Sequence, residues 1–217
     1  MKQTSITKLS EVYNNLNALY NGEKIAHDYK SLADLIQQVI RAEATTEAKG
    51  GKFDYFKYVD NTGNRPVMGC VFHDEGYKVA SDAHILIAIK DNYPEEYEQK
   101  MLHADGSFEK YGTYPKWRSV IPKPDGYEPY KVDRKAFYDW LTRKRAEYKA
   151  ETGKGKKFVN EWRYQVGPAQ FQAERFDKLL TAMERIGTDV LMVKDARHSA
   201  YAQTEEGTAL LMPMMPC

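Results

Sequence analysis

Apolar positions repeat at helical spacing in four stretches of the chain. Over residues 7–20, Leu9, Val12, Leu16 and Leu19 share one helical face, and Asn21-Gly22 supplies a stop. A second helix follows, capped by Ser31 with Asp34 at its third position and carrying Leu32, Leu35, Ile36, Val39 and Ile40 on one side. A third opens at Asp133 and runs to about Lys149, with a stripe of Ala136, Phe137, Trp140, Leu141 and Tyr148 on which Lys144 also falls, so that Lys144 is expected to snorkel. The fourth carries Phe176, Leu179, Leu180, Met183 and Ile186 and stops at Gly187.

Between these helices the pattern changes to strands. Residues 53–59 alternate, and 61–64 turn the chain. Strands at 67–73 and 77–81 flank Asp74-Glu75-Gly76, the composition of a tight hairpin turn, and 84–89 is a third apolar strand. Further strands are expected at 162–166, 190–193, 198–203 and 208–212, the last after a Glu205-Glu206-Gly207 turn. Residues 43–51 and 152–157 read as loops and 92–112 as an irregular connection. Residues 114–124 hold three prolines and should be extended. Helix followed by antiparallel strands thus occurs once before the prolines and once after them, an α+β arrangement with helices on one face of antiparallel sheet.

A chain of 217 residues with 42% hydrophobic and 29% charged content has room for one large or two small packed domains. It holds no apolar run of membrane-spanning length, and residues 1–10 lack the apolar core of a secretory signal, so a cytoplasmic protein with no membrane partner is expected. Cys70 and Cys217 are too few for a disulfide framework. Cys70 and His73 form a Cys-x-x-His pair, but no second pair stands at matching spacing, so no metal and no other cofactor is expected. Net charge is only +1, yet it is unevenly spread: acids lead over 91–129, and bases lead over 131–157. Such a local basic excess can neutralise phosphates.

Catalytic signatures are sparse. Asp82 and His84 stand two apart, near His73 and Asp74, and could be drawn as an acid–base or metal pair if the turn left one strand unbroken. The sequence contains no H-E-x-x-H, no phosphate-cradling Gly loop and no hydrolase triad order. An enzyme using Asp82 and His84 is therefore the weakest reading, and no catalytic residue is assigned.

Three separated segments resemble the bacterial sliding clamps, the DNA polymerase III beta subunits, in the family's order. Gly76 to Leu86 (GYKVASDAHIL) is similar to the family's turn around V-A-T-D-G-H-R-L. Tyr114 to Pro122 (YPKWRSVIP) is similar to the linker F-P-D-Y-x-x-V-I-P between the middle and last domains, followed as in the family by a strand and a helix opening at an Asp-Arg pair, here Asp133-Arg134. Leu210 to Met214 (LLMPM) resembles the ending V-V-M-P-M.

The resemblance implies a DNA-clamp-like α+β fold. It divides the chain into an N-terminal helical extension (1–30), an incomplete middle-domain portion (31–113), a Pro-rich linker (114–125) and a C-terminal domain (126–217). It implies a non-catalytic replication accessory whose Leu86, Pro115, Val120, Leu210 and Met212 form a pocket for short hydrophobic motifs of a polymerase or clamp loader. Lys135, Arg143, Arg145, Lys149, Lys154, Lys156 and Lys157 would meet double-stranded DNA without sequence preference. A homo-oligomer is implied as well, although the family closes a ring from three-domain chains and this chain has room for at most two such domains. Other departures stand beside this: the second helix and sheet of a full middle domain do not fit between Lys90 and Tyr114, the helix over 7–20 has no counterpart in the family, Ile85 and Ser119 replace two arginines of the pocket rim, and Ala83 replaces the turn Gly. An alternative is a clamp-derived interaction module of a phage or mobile element that binds replication proteins without encircling DNA.

Overall fold

The computed structural model describes residues 53–215. The helices expected over 7–20 and from Ser31, with the extension 1–30, lie outside the described residues, as does Cys217.

Eight strands form one antiparallel sheet. β1 (Val71–Asp74), β2 (Tyr77–Ser81) and β3 (Ile85–Lys90) are a meander, with the short β4 (Met101–Leu102) beyond β1. From the second half come β5 (Glu128–Lys131), β8 (Val190–Val193), β9 (Ala200–Thr204) and β10 (Gly207–Leu211). The order is β4-β1-β2-β3-β10-β9-β8-β5. The two halves meet where β10 pairs with β3 over five residues, from Gly207 opposite Ile89 to Leu211 opposite Ile85. A separate hairpin joins β6 (Arg163–Val166) to β7 (Ala169–Gln172).

The two-residue period of a strand decides what each face carries. Ile85, Ile87 and Ile89 of β3 share a core with Ala209 and Leu211 of β10, Ala200 and Ala202 of β9, and Leu191 and Val193 of β8. Two helices cover this face: α1 (Arg134–Thr152) and α2 (Ala173–Arg185). The alternate residues Val79, Leu86, Ala88, Tyr201 and Leu210 belong to a second apolar cluster, closed by Cys70, Met101, Tyr114 and Trp117. Both faces of the sheet are therefore apolar, which is why β3 reads as a nearly continuous hydrophobic run.

α1 starts as expected, with the Asp133 carboxylate accepting from the Ala136 N–H at 3.1 Å, and it ends at Gly153 in the left-handed region. Its buried stripe is narrower than the periodicity suggests. Only Phe137 and Leu141 are buried, Trp140 and Tyr148 are half-buried, and Ala136 is exposed. The ring of Phe137 sits 5.0 Å from Tyr164 of β6 and 5.2 Å from Phe176 of α2, so aromatic contacts join the helices to the small hairpin. Lys144 is half-buried and pairs with Glu147 at 2.7 Å.

Three local expectations are corrected. Residues 53–59 contain a 3-10 turn at Tyr55–Lys57, because the Asp54 carboxylate accepts from the Phe56 N–H; the turn buries Tyr58 and leaves Lys57 outside. The strand expected from Val67 begins only at Val71, since Pro66 opens a 3-10 turn over Pro66–Gly69. Within 114–124 the chain makes a 3-10 turn at Trp117–Val120 instead of staying extended. β7 lies outside the strands expected above: Ala169 and Phe171 alternate with Gln170 and Gln172 as in a strand, but over only four residues.

Candidate functional site

Asp74 organises the sheet face away from the helices. It ends β1, is almost fully buried, and its Oδ2 accepts from Trp117 Nε1 at 2.6 Å and from the Arg118 guanidinium, while Gln99 donates to Oδ1. Arg118 also reaches Glu75 at 2.8 Å and lies 4.2 Å from the Trp117 ring centroid. Burial alone would raise the Asp74 carboxyl. The hydrogen bonds from Trp117, Gln99 and Arg118, together with the Arg118 charge, outweigh it and hold the group below the ordinary carboxylate value. The 3-10 turn 117–120 is thereby fastened to the β1–β2 corner.

Next to this turn lies a cavity of about 280 Å³. Leu86 and Leu210, neighbours across the β3–β10 ladder, line it together with Pro115, Val120 and Met212. All five side chains named from the sequence thus line one space, although they come from three segments of the chain. The wall is predominantly apolar, and two of its large side chains stay in solvent: Val120 is 52% and Met212 41% exposed. Tyr114, Trp117, Met68, His84 and Ser199 are among the other lining residues. Trp117 and Tyr114 lie within the quoted linker motif, so their aromatic character was the available signal; Met68 and Ser199 carried none.

The rim departures have visible consequences. Ile85 touches the cavity edge but is fully buried toward the helix face. The exposed Ser119 donates to the Lys116 carbonyl at 2.6 Å. Ala83 holds φ at 72°, a region that costs an L-residue with a Cβ roughly 1–2 kcal/mol.

The Asp82–His84 pair has a structural role. The Asp82 Oδ1 accepts from the backbone N–H groups of His84 (2.8 Å) and Ile85 (2.9 Å), while Asp82 Oδ2 faces Arg175 Nε at 3.8 Å. β2 ends before it and β3 begins after it, so the two residues do not continue one strand. Cys70 and His73 also diverge. His73 Nδ1 faces the Lys100 carbonyl at 3.2 Å, with its ring edge-on to Tyr93 and Tyr97, whereas Cys70 Sγ meets His103.

On the opposite face, Lys135, Arg143, Lys149, Lys154, Lys156 and Lys157 are exposed along α1 and the loop after it. Lys135 is engaged by Asp139 at 2.8 Å. Arg145 is half-buried: its Nε donates to the Lys157 carbonyl at 2.9 Å and its guanidinium lies 5.5 Å from the Phe158 ring centroid.

No protein-family model and no curated protein sequence matches the chain. Solved structures do. The sliding clamp (DNA polymerase III subunit beta) of Bartonella birtlesii, bound to griselimycin, superimposes with a TM-score of 0.52 and 15% identity over 81% of this chain and 64% of that one. A sliding clamp of Pseudomonas aeruginosa gives 0.51 with 14% identity over 81% and 65%, and Caulobacter crescentus pol III beta gives 0.51 with 13% identity over 81% and 65%. The chain has the bacterial sliding-clamp fold. It spans less than two thirds of the clamps it matches, for example 63% of the one from Bacillus subtilis. In that fold the helices α1 and α2 stand on one side of the sheet, and the cavity opens on the other. Among the described residues no helix is long and apolar enough to cross a membrane.

Proposed function

We propose that this protein is a non-catalytic DNA-replication accessory of the clamp type, docking short hydrophobic motifs of a polymerase or clamp loader in the cavity between β3, β10 and the 117–120 turn. One observation carries the reading: Leu86, Pro115, Val120, Leu210 and Met212, remote in sequence, line a single apolar recess on the face away from the helices. Solvent-exposed Val120 and Met212 at such a recess suit a peptide better than a sealed core does, and the unbranched thioether adapts to different partner side chains. A recess of about 280 Å³ has space for two or three apolar side chains, not for a folded domain. The four-residue turn 117–120 forms one wall and is held by Asp74 from behind, so the recess is largely formed before a ligand arrives.

The helix face supplies the second half of the proposal. Arg143, Lys149, Lys154, Lys156 and Lys157 form a phosphate-binding surface, and Lys135 joins it by exchanging Asp139 for a phosphate. Arg145 supports the loop through the Lys157 carbonyl and Phe158. Contacts limited to phosphates let a protein move along a duplex, which base-specific contacts would prevent.

A fluorescent peptide carrying the hydrophobic clamp-binding motif of a polymerase tests the docking function. Binding by the wild type and an affinity at least about tenfold lower for Met212→Asp, which places a charge in the apolar wall, is the expected result. Equal binding by both proteins would end the proposal.

A further inference from the structure

A second group of side chains, on the same face but distinct from the cavity, has the composition of a metal centre. Cys70 enters β1 from the Pro66–Gly69 turn and is completely buried. The other two members come from the loop after β4. There the His103 N–H donates to the Ser107 carbonyl and the Glu109 N–H to the Met101 carbonyl, both at 2.8 Å, while Leu102 bridges Phe108. This closed ladder sets His103 and Glu109 beside each other, with His103 Nε2 3.1 Å from Glu109 Oε2. Cys70 Sγ lies 3.4 Å from His103 Nδ1 and 3.5 Å from Nε2. One donor atom from each of the three residues falls within 4.8 Å of the others.

The spacing can be compared with coordination geometry. Bonds of about 2.3 Å to sulfur and about 2.0–2.1 Å to nitrogen or oxygen at tetrahedral angles put sulfur and nitrogen about 3.6 Å apart, and nitrogen and oxygen about 3.3 Å apart. The observed Sγ–Nε2 and Nε2–Oε2 distances of 3.5 and 3.1 Å lie within a few tenths of an ångström of these edges, and the third pair lies within 4.8 Å. Because Sγ is equally near Nδ1 at 3.4 Å, the imidazole must turn to aim Nε2 between the other two donors when an ion enters. The carboxylate is also oriented in advance. Glu109 Oε1 accepts from the N–H groups of Lys110 (2.9 Å) and Tyr111 (3.0 Å), which leaves Oε2 for the centre. Tyr114 gives a further indication. Its buried hydroxyl has no hydrogen-bond partner among the described residues and lies within electrostatic reach of Cys70, so a water held at the centre would have a donor to meet.

We infer that Cys70, His103 and Glu109 bind one divalent transition-metal ion of the zinc class, with solvent in the fourth position. A thiolate, an imidazole and a carboxylate suit a borderline ion of this kind and disfavour calcium or magnesium. On binding, the Cys70 thiol loses its proton to solvent and a metal–sulfur bond forms, with no redox step. The ion would staple the β4 loop, at one edge of the sheet, to the entry of β1.

Cobalt(II) is the probe. The full chain, stripped with a chelator and dialysed, should develop a thiolate-to-cobalt charge-transfer absorption that saturates at one equivalent and is bleached by zinc. Cys217→Ser should keep the band and Cys70→Ala should lose it. His103→Gln and Glu109→Gln should each weaken binding by at least about tenfold. Circular dichroism establishes that each variant is folded; if Cys70→Ala is not, the His103→Gln and Glu109→Gln titrations decide. A folded wild type with no band at excess cobalt would overturn the inference. So would a band that survives Cys70→Ala, or one indifferent to both His103→Gln and Glu109→Gln.

Discussion

Asp74→Ala removes the carboxylate that fastens one cavity wall, and the structure sets the scale of the loss. The Trp117 indole N–H is buried and donates to Asp74 at 2.6 Å; leaving such a donor unpaired costs about 1–3 kcal/mol. The Arg118 pair counts for less. That side chain is 45% exposed and keeps Glu75 as a second partner, so solvent screening limits its share to at most about 1 kcal/mol. The sum, about 1–4 kcal/mol, corresponds to a fall in Tm of roughly 2–16 °C for a protein of this size. Because Val120 rides on the same turn, affinity for the clamp-motif peptide should fall by about tenfold as well. Asp74→Asn keeps an acceptor for the indole and should lose about half as much stability. The pH dependence has a defined sign. The folded-state pKa is depressed below 3.8, so the contribution is complete above the unfolded-state value and is lost as pH falls through the folded-state one. Melting curves and peptide anisotropy should therefore show a wild-type advantage over Asp74→Asn that is constant above about pH 5 and shrinks below about pH 4. A Tm drop with unchanged peptide affinity would refute the idea that Asp74 shapes the recess, and an unchanged Tm would refute the anchoring itself.

Ala83→Gly should raise stability by about 0.5–1 kcal/mol in chemical denaturation, since relief of the left-handed strain at φ 72° exceeds the added freedom of the unfolded chain. Gly207→Ala should do the reverse by more than about 2 kcal/mol, because a Cβ there would sit 2.4 Å from the Ala88 carbonyl oxygen and force β10 away from β3. Titrating a labelled duplex at several salt concentrations should show weak, sequence-independent binding, and changing Lys154, Lys156 and Lys157 together to Ala should lower the salt slope by about two to three; binding absent at low salt would remove this surface. Solution mass with and without circular DNA tests assembly: a symmetric oligomer retained on the circle would support a ring, and a monomer would support an interaction module that does not encircle DNA.

Local rules carried much of this protein. The helices α1 and α2 are legible because Asp133 and Gly153 bound one and the Phe176–Leu179–Leu180–Met183 spacing marks the other. The β1–β2 hairpin follows from Asp74-Glu75-Gly76, and β3 from its run of apolar residues. The pocket residues were legible through three motifs whose side chains the fold brings together. Pattern alone could not show that β3 pairs with β10, because both faces of β3 are apolar and strand pairing is a long-range choice. Nor could it show that Asp74, composed as a turn residue, would be buried as the acceptor for a tryptophan 43 positions away. The same holds for Cys70: spacing in sequence suggested His73, but β1 turns that ring to the Lys100 carbonyl, and the closed loop after β4 delivers His103 and Glu109 instead. Periodicity reports which side of an element is apolar. Which distant element covers that side, and which polar atom waits there, is decided only when the sheet assembles.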